Sequence, residues 1–336
     1  MRCGDEGGGR PCGIVGLSLL AGLLVLGAPA PARAQEEVVR LGDLPAISNA
    51  AIYLAMERGF FKELGLRVEL SSFASAAKML PALAAGELDV SVGTPSAGLF
   101  NAVAEGAPYR VVADKGQFRA GHGYATLTVR KDLVATGQVK SVKDLKGRKI
   151  AQTAKGIILD YIMDKMAAEA GLGLKDFAFS YLTAPNQMAA LESKTIDAAI
   201  TTEPWGARAE ERGVGVRFRT PDQVKGLPPV QAAVIIYSGR FIKDRRPAAQ
   251  RWMTAYLKGA DVYVTKGIKD PEVLAAIEKY TKNPAQVIVN VIPHYQARDG
   301  KVVLESLADQ IKWHAANGYM PKAIPVEQVV DLSFLR

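Results

Sequence analysis

Several polar residues stand where a predicted strand gives way to a helix, and their types suit the binding of a small anion. Thr94 and Glu203, each followed by a proline, come after two such strands, and Lys155, followed by a glycine, comes after a third. The first N–H groups of a helix have no partner within the helix and carry partial positive charge, so they attract an oxyanion. Lys155 would add a full positive charge. The pattern predicts a site that captures a small acid.

Further predicted helix starts at residues 48–49 and 184–186 add to this pattern. The neutral side chains that could hydrogen-bond a ligand at these places are those of Ser48, Thr94, Ser96, Gln117 and Asn186. Residues of these types also cap helices in many proteins, so an ordinary cap is the alternative reading of each. Glu203 could pair with Lys155, contact a cationic group of a zwitterionic ligand, or cap a helix.

Candidate catalytic groups are sparse. The histidines His122, His294 and His314 lie far apart, and no nucleophile elbow, P-loop or dinucleotide-binding glycine motif follows a predicted strand. Both cysteines, Cys3 and Cys12, stand in the N-terminal leader, so no thiolate nucleophile or thiolate metal site is expected beyond it. The sequence therefore predicts a binding protein and not an enzyme, with no cofactor and no metal.

Two stretches of sequence resemble each other and must position these residues. The letters LAAGELDVSVGTPS at residues 83–96 parallel LESKTIDAAITTEPW at residues 191–205. Both predict a helix end, a tight turn, a short buried strand and a proline that opens the next helix. Asp89 and Asp197 are interpreted as residues that bind the backbone at the turns. A unit that is used twice indicates two similar lobes, and small ligands bind in clefts between lobes.

The order of predicted elements divides the chain at two crossings. Strands alternate with helices in both halves, which indicates α/β lobes with mostly parallel sheets and helices on both faces. We predict that residues 35–129 and 231–336 form a discontinuous lobe one and that residues 130–230 form lobe two. The β-rich segments at residues 124–129 and 232–237 are interpreted as the two crossings of a hinge.

The N-terminal leader has the pattern of an export signal. An apolar run without charge at residues 14–28 precedes the letters ARA at residues 32–34. The run is shorter than the roughly 20 residues of a membrane-spanning helix, and ARA is typical of a processing site. We predict a signal peptide at residues 1–34, cleaved before Gln35, with an uncleaved anchor as the alternative. Cys12 precedes the run, whereas a lipoprotein cysteine would follow it. A free periplasmic or otherwise extracytoplasmic protein is expected.

The formal net charge of +8 is spread along the chain. Lysines and arginines form no run of five or more and are not interleaved with aromatic residues, so nucleic-acid binding is not expected. A mild positive excess suits an anionic ligand or an anionic membrane surface. With 49% hydrophobic residues the chain can form a sizeable core, and we expect a monomer.

Four motifs, in their order along the chain, resemble one known family. They read AIYLAMERGFFKELGLRVEL, MLPALAAGELDVSVGTPSA, SVKDLKGRKIA and ALESKTIDAAITTEPW. Over residues 38–318 the chain resembles the nitrate/sulfonate/taurine family of solute-binding proteins of ABC transporters, with its SsuA-like and thiamin-pyrimidine-like members. The resemblance implies a type II periplasmic-binding fold that closes on its ligand by a hinge. It also implies delivery of the ligand to a membrane permease with its ATPase.

The resemblance further implies which loops contact the ligand. The implied residues are Ala46, Ile47, Ser48, Asn49, Gly93, Thr94, Pro95, Ser96, Thr153, Lys155, Gly156, Ile157 and Glu203. Family members bind nitrate, sulfonates, taurine, aromatic carboxylates or thiamin pyrimidine precursors. A lysine, glycine and isoleucine replace the more usual glycine and serine in the lobe-two loop, which favours a negatively charged ligand. A synthase-like enzyme and a sensor partner that presents a ligand are the alternative readings.

Overall fold

Two five-stranded sheets form the framework of the computed structural model, which describes residues 36–73 and 76–335. The predicted signal peptide, its cleavage site and both cysteines lie outside the described residues. The strands are β1 (Glu37–Asp43), β2 (Leu66–Ser72), β3 (Val90–Gly93), β4 (Arg110–Phe118), β5 (Ala125–Arg130), β6 (Lys149–Gln152), β7 (Ala178–Tyr181), β8 (Ala198–Thr202), β9 (Gly215–Arg219) and β10 (Val230–Tyr237).

The two sheets have matching topologies. The strand order is β2-β1-β3-β10-β4 in the first sheet and β7-β6-β8-β5-β9 in the second. We call the first sheet, with the helices packed on it, lobe one. The second sheet, with its helices, is lobe two. The predicted α/β class is confirmed: four strands of each sheet run in the same direction, as predicted, and one strand, β10 or β5, runs against them, so both sheets are mixed. In each sheet two pairings are parallel and two are antiparallel. The antiparallel pairings involve β10 and β5, which enter directly from the other sheet and not through a crossover helix.

The membership of β5 corrects the predicted boundary at residue 129. This strand pairs with β8 and β9, so lobe two begins before it and not after it. Residues 119–124 and 220–229 therefore connect the two sheets. Strand β10 lies between β3 and β4 of lobe one and is buried along its whole length. Its sequence VQAAVIIY is nearly all apolar because both faces of a central strand are covered.

The repeated sequence unit has the same structural role in both lobes. The Asp89 carboxylate accepts a hydrogen bond from the backbone N–H of Arg40 at 2.8 Å. The Asp197 carboxylate likewise accepts from the backbone N–H of Lys149 at 3.0 Å. In each lobe an aspartate before one parallel strand thus binds a backbone N–H of the neighbouring strand, which helps to set the register between them.

Helices surround both sheets. They are α1 (Ala50–Glu57), α2 (Phe60–Glu63), α3 (Ala76–Ala84), α4 (Ala97–Ala104), α5 (Lys131–Ala135), α6 (Ile158–Glu169), α7 (Ala184–Glu192), α8 (Trp205–Glu211), α9 (Gly239–Asp244), α10 (Arg246–Lys266), α11 (Pro271–Thr281), α12 (Ala285–Ile288) and α13 (Leu304–Ala316). The segment after β10 is mostly helical. Of the helices in the described residues, none is long and apolar enough to cross a membrane.

The longest helix, α10, fixes the position of α1. Its buried residues, including Trp252 and Tyr256, recur at helical spacing and join the core of lobe one. At Gly259 the two helices approach so closely that a Cβ atom would overlap the carbonyl oxygen of Ala51 and lie 2.9 Å from the Cβ of Ala55. Only glycine allows this approach. The position of α1 matters for function because a predicted ligand loop leads directly into it.

Candidate functional site

The predicted ligand loops of the two lobes meet in the structure. Ser96, which precedes α4, forms an antiparallel β-bridge with Ile157, which precedes α6. The N–H of Ala97 donates to the carbonyl oxygen of Gly156 at 2.9 Å. These loops follow β3 and β6, so the carboxyl ends of strands from both sheets face one cleft. The lobes are therefore in contact at the place where the sequence predicted a ligand.

A second contact between the lobes lies along α6 and α13. The Tyr161 hydroxyl donates to the Asp309 carboxylate at 2.6 Å. The Trp313 indole N–H donates to the Asp164 carboxylate at 2.8 Å. Helix α13 also packs on α4 of lobe one, so it contacts both lobes. Together with the loop contacts, these hydrogen bonds hold the two lobes together, so the cleft is closed in this structure.

The loop after β1 forms a buried polar cluster at the start of α1. Ser48 was a predicted cap of this helix, but its hydroxyl instead accepts a hydrogen bond from the Lys115 ammonium at 2.8 Å. The Asn49 side-chain oxygen accepts from the same ammonium at 2.7 Å, and its amide nitrogen donates to Asp43 at 2.6 Å. The Tyr53 hydroxyl donates to the same carboxylate at 3.2 Å. Ala46 and Ile47 carry no polar side chain and lie beside this cluster.

Lys115 is a functional candidate that the sequence analysis missed. Its side chain belongs to β4, and the residue is only 4% exposed. Burial lowers the pKa of Lys115 to about 8, although the negative charges of Asp43 and Asp114 oppose this fall. Burial also raises the pKa of Asp43. The signal in the sequence is the pair Asp114 and Lys115 directly after the apolar residues 111–113 of the strand, since buried charges are rare without a partner or a role.

The loop after β3 differs from its predicted cap. Helix α4 begins at Ala97 with Ser96 as its N-cap, and the Ser96 hydroxyl accepts from the N–H of Leu99 at 3.3 Å. Thr94 is therefore not the cap, because the helix begins later than its proline suggested. Gly93 packs closely on the neighbouring strand: a Cβ there would lie 2.9 Å from the Cδ1 of Ile236, so that side chain would have to shift. Thr94 and Pro95 stay predicted ligand contacts.

In lobe two, a carboxylate of the protein itself occupies the start of α6. The N–H groups of Gly156 and Ile157, predicted to be free for an anion, donate to Asp160 at 2.5 and 3.2 Å. The Gln152 amide donates to the other oxygen of Asp160 at 2.5 Å. Burial raises the pKa of Asp160. An anion at this helix start would have to displace or share these donors.

The exposed part of the same loop contains Thr153 and Lys155. The Lys155 ammonium lies 5.6 Å from the centre of the Tyr319 ring, within the range of a cation–π contact. Two other predicted donors lie elsewhere. Asn186 is exposed on α7, and Gln117 is buried, where its amide donates to the Lys301 carbonyl at 3.2 Å. The structure does not bring these two residues into the cluster around Lys115.

Glu203 was predicted to cap a helix, to pair with Lys155 or to contact a ligand. In the structure it caps a helix and forms an ion pair, but with a different partner. Its carboxylate accepts from the N–H of Ala207 at 3.0 Å, so it caps α8. It also pairs with Arg217 at 2.8 Å and accepts from the N–H of Ile292 at 3.4 Å. The ion-pair partner is thus Arg217 and not Lys155. Burial raises the pKa of Glu203, and these hydrogen bonds oppose the rise. Its contact with a ligand stays a prediction.

His294 was treated as an isolated histidine, but it lies beside the cleft. Its ring stacks on Tyr263 with centroids 4.5 Å apart, and Nδ1 lies 3.2 Å from the Tyr263 hydroxyl. The other ring nitrogen, Nε2, is buried and has no hydrogen-bond partner among the described residues. A Cβ added at Gly116 would lie 3.5 Å from Cδ2 of this ring and 3.2 Å from the Tyr124 hydroxyl. Because residue 116 is a glycine, it has no side chain that would cover this edge of the ring.

We expect the His294 ring to stay neutral as the pH falls from 6.5 towards about 3, because burial and, secondarily, the Lys115 charge lower its pKa. The stability that the neutral ring contributes is present above pH 6.5 and is lost as the pH falls towards about 3. An NMR titration of the His294 Cε1–H resonance, assigned with His294→Gln, measures this. A midpoint near 6.5 would contradict the burial that the structure describes.

No group of three or more metal-ligating side chains is found in the described part of the chain. Comparisons with solved structures support the fold. The alkanesulfonate-binding protein SsuA of Xanthomonas axonopodis pv. citri, bound to MOPS, is 20% identical with a TM-score of 0.71, covering 89% of this chain and 99% of that one. The nitrate-binding protein NrtA of Synechocystis PCC 6803 is 15% identical with a TM-score of 0.72, covering 88% and 86%. The chain has the periplasmic-binding-protein fold.

Sequence comparisons extend this result. A Haemophilus influenzae protein, provisionally named for thiamine biosynthesis, is 25% identical over 290 residues, which cover 83% of this chain and 86% of that one. The sequence model of the NMT1-like family matches residues 32–278, which is more than half of the chain. The matched region includes both sheets and every predicted ligand loop. The chain therefore belongs to the NMT1-like family.

Proposed function

We propose that this chain is the extracytoplasmic solute-binding component of an ABC importer and that it captures a small organic anion between its lobes. One observation carries the proposal: loops at the carboxyl ends of strands from both sheets meet, with Ser96 bridged to Ile157. In open α/β sheets these ends are where ligands bind. Binding would favour the closed form, which a permease with its ATPase would recognise. We propose export by the signal peptide and action as a monomer without an enzymatic step.

The charge of the cleft supports an anionic ligand. The buried ammonium of Lys115, within β4, and the exposed ammonium of Lys155, in the loop after β6, belong to opposite lobes. The ligands named for the two similar solved structures, an alkanesulfonate and nitrate, are small anions. We therefore propose the sulfonate, taurine, nitrate or carboxylate class.

A thiamin pyrimidine precursor is the second candidate ligand. The Haemophilus relative is named for thiamine biosynthesis. Two acceptors flank the lobe-two loop and could bind the N–H groups of an aminopyrimidine. They are the Asp160 carboxylate and the side-chain oxygen of Gln152, which has no hydrogen-bond partner among the described residues. Acceptors of this kind suit N–H groups, whereas an anion requires donors. The two ligand classes would thus require different polar groups in the cleft.

A ligand panel separates these candidates. Residues 35–336 are mixed with methanesulfonate, taurine, nitrate, benzoate and an aminopyrimidine, and thermal unfolding is measured. A ligand at 100 times its Kd stabilises the folded state by about 2.7 kcal/mol, which raises Tm measurably. We expect an increase with one class of anion and none with its neutral amide or sulfone analogue. A response to the aminopyrimidine alone would support the second candidate, and no response to any compound would contradict the proposed function.

A further inference from the structure

A buried lysine stands level with the ligand loops of lobe one. Gly93, the last residue of β3, pairs with Val234 of β10, and Val234 pairs with Asp114 of β4. Because β3 and β4 are both antiparallel to β10, they run in the same direction. Lys115 follows Asp114, so it stands level with the residue after Gly93, where the loop to α4 begins. The strand register thus places Lys115 at the cleft edge of the sheet.

The contacts of Lys115 leave its charge available. Both hydrogen-bond acceptors of its ammonium, the Ser48 hydroxyl and the Asn49 amide oxygen, are neutral groups. An ammonium has three N–H donors, so one donor remains for a ligand oxygen. The nearby Asp43 carboxylate is bound by Asn49 and Tyr53. Ser48 and Asn49 hold the ammonium in place, which reduces the entropy that a flexible lysine loses when it binds.

A second buried polar group, the ring of His294, lies beside Gly116, the residue that follows Lys115 in β4. The Nε2 atom of His294 has no partner among the described residues, and the residue is 1% exposed. Gly116 faces this ring edge together with the Tyr124 hydroxyl. The N–H of Glu203, in lobe two, donates to the Tyr124 carbonyl at 2.8 Å, so Tyr124 lies where the lobes join. A buried nitrogen without a partner is costly unless a ligand or water satisfies it.

We propose that Lys115 binds the negatively charged oxygen of the ligand, with His294 Nε2 as a second polar contact. This inference rests on the proposed function and deepens it. It assigns the preference for a carboxylate or sulfonate to a buried ammonium of lobe one. Lys155, which is exposed beside Tyr319, contributes less because water screens its charge. The ligand then binds lobe one first, and lobe two closes over it.

Calorimetry with residues 35–336 tests this inference. The probes are the anions methanesulfonate, nitrate and benzoate, the zwitterionic sulfonate taurine, and the neutral analogues dimethyl sulfone and benzamide. We expect Lys115→Met to weaken binding of the anion by at least about 30-fold, because it removes a buried charge-assisted contact. It should also abolish the preference for the anion over its neutral analogue. His294→Gln should weaken binding by about fivefold, as expected for a neutral hydrogen bond. Lys155→Met should have a smaller effect than Lys115→Met.

Asp43→Asn is the matched control. It disturbs the same polar cluster but keeps the ammonium and removes the opposing negative charge, so anion affinity should be equal or higher. If Lys115→Met does not fold, the double variant with Asp43→Asn gives the same test, because it removes the charge of Lys115 and the charge of Asp43 together. Unchanged anion affinity in either Lys115 variant would overturn the inference while leaving the proposed function intact. No anion binding by the unmodified protein would overturn both.

Discussion

Replacing Glu203 by alanine should lower the free energy of unfolding by about 3 kcal/mol, because it breaks a buried ion pair and removes a buried acceptor of backbone N–H groups. The Glu203 side chain is 1% exposed and that of Arg217 is 19% exposed, so water cannot fully replace the lost contact. The N–H of Ala207 would lose its acceptor as well. Chemical denaturation monitored by fluorescence measures the change. Ligand affinity should fall only if the loss of this ion pair also makes the closed form of the cleft less stable.

Glu210→Gln is the control for this prediction. Glu210 pairs with the same arginine at 2.7 Å, but its side chain is 34% exposed. An ion pair that water reaches contributes less than about 1 kcal/mol, so this variant should unfold almost like the unmodified protein. Equal losses in the two variants would show that burial does not determine the contribution of Glu203. A normal stability of Glu203→Ala together with lost ligand binding would instead make Glu203 a ligand contact.

Gly259→Ala should destabilise the protein by about 3 kcal/mol, the upper range for overpacking of a well-packed core. The added methyl group would overlap the carbonyl oxygen of Ala51, and backbone cannot move aside as a flexible side chain can. Alanine favours a helix over glycine by up to about 1 kcal/mol, but this gain does not offset the overlap. Since α1 would move, the cluster of Asn49 and Lys115 at its start should shift, and ligand affinity should fall as well.

Gly173→Ala is the matched control for this variant. A Cβ atom at Gly173 meets nothing within 4 Å, and its φ of −131° suits any residue. Thermal unfolding should therefore show a lower Tm for Gly259→Ala and little change for Gly173→Ala. If Gly259→Ala unfolds normally, the close approach of α1 and α10 does not constrain the position of the ligand loop.

The overall architecture could be predicted because it rests on a local pattern that occurs twice. Asp89 and Asp197 stand at the same place in the repeated unit, and each binds the backbone of the neighbouring strand. Turn residues and alternating apolar segments specify such a unit within short windows of sequence. The direction of β5 and β10 is set by the path of the chain between the lobes. Local periodicity does not report that path, so the sequence did not predict which strand of each sheet is antiparallel.

The site could be predicted only as a set of loops. Ser96 and Ile157 were placed in ligand loops, and the structure brings them together. The partners of individual side chains depend on contacts between segments far apart in sequence. Asp160 takes the N–H groups at the start of α6, and Lys115 reaches Ser48 from a different strand. The charged pair Asp114 and Lys115 in a mostly apolar strand marks a residue of interest, but the sequence does not show which side chains it contacts, so the exposed Lys155 was selected and Lys115 was not.

The bridge between Ser96 and Ile157 has a consequence for the rate of ligand uptake. With these loops in main-chain contact, a ligand reaches the cleft only after they separate. Association then proceeds at the opening rate once the ligand is abundant, and further ligand no longer accelerates it. The same contact delays escape of a captured molecule. The contact would thus slow ligand association and lengthen the residence time of a bound ligand, which would suit the proposed delivery to a transporter.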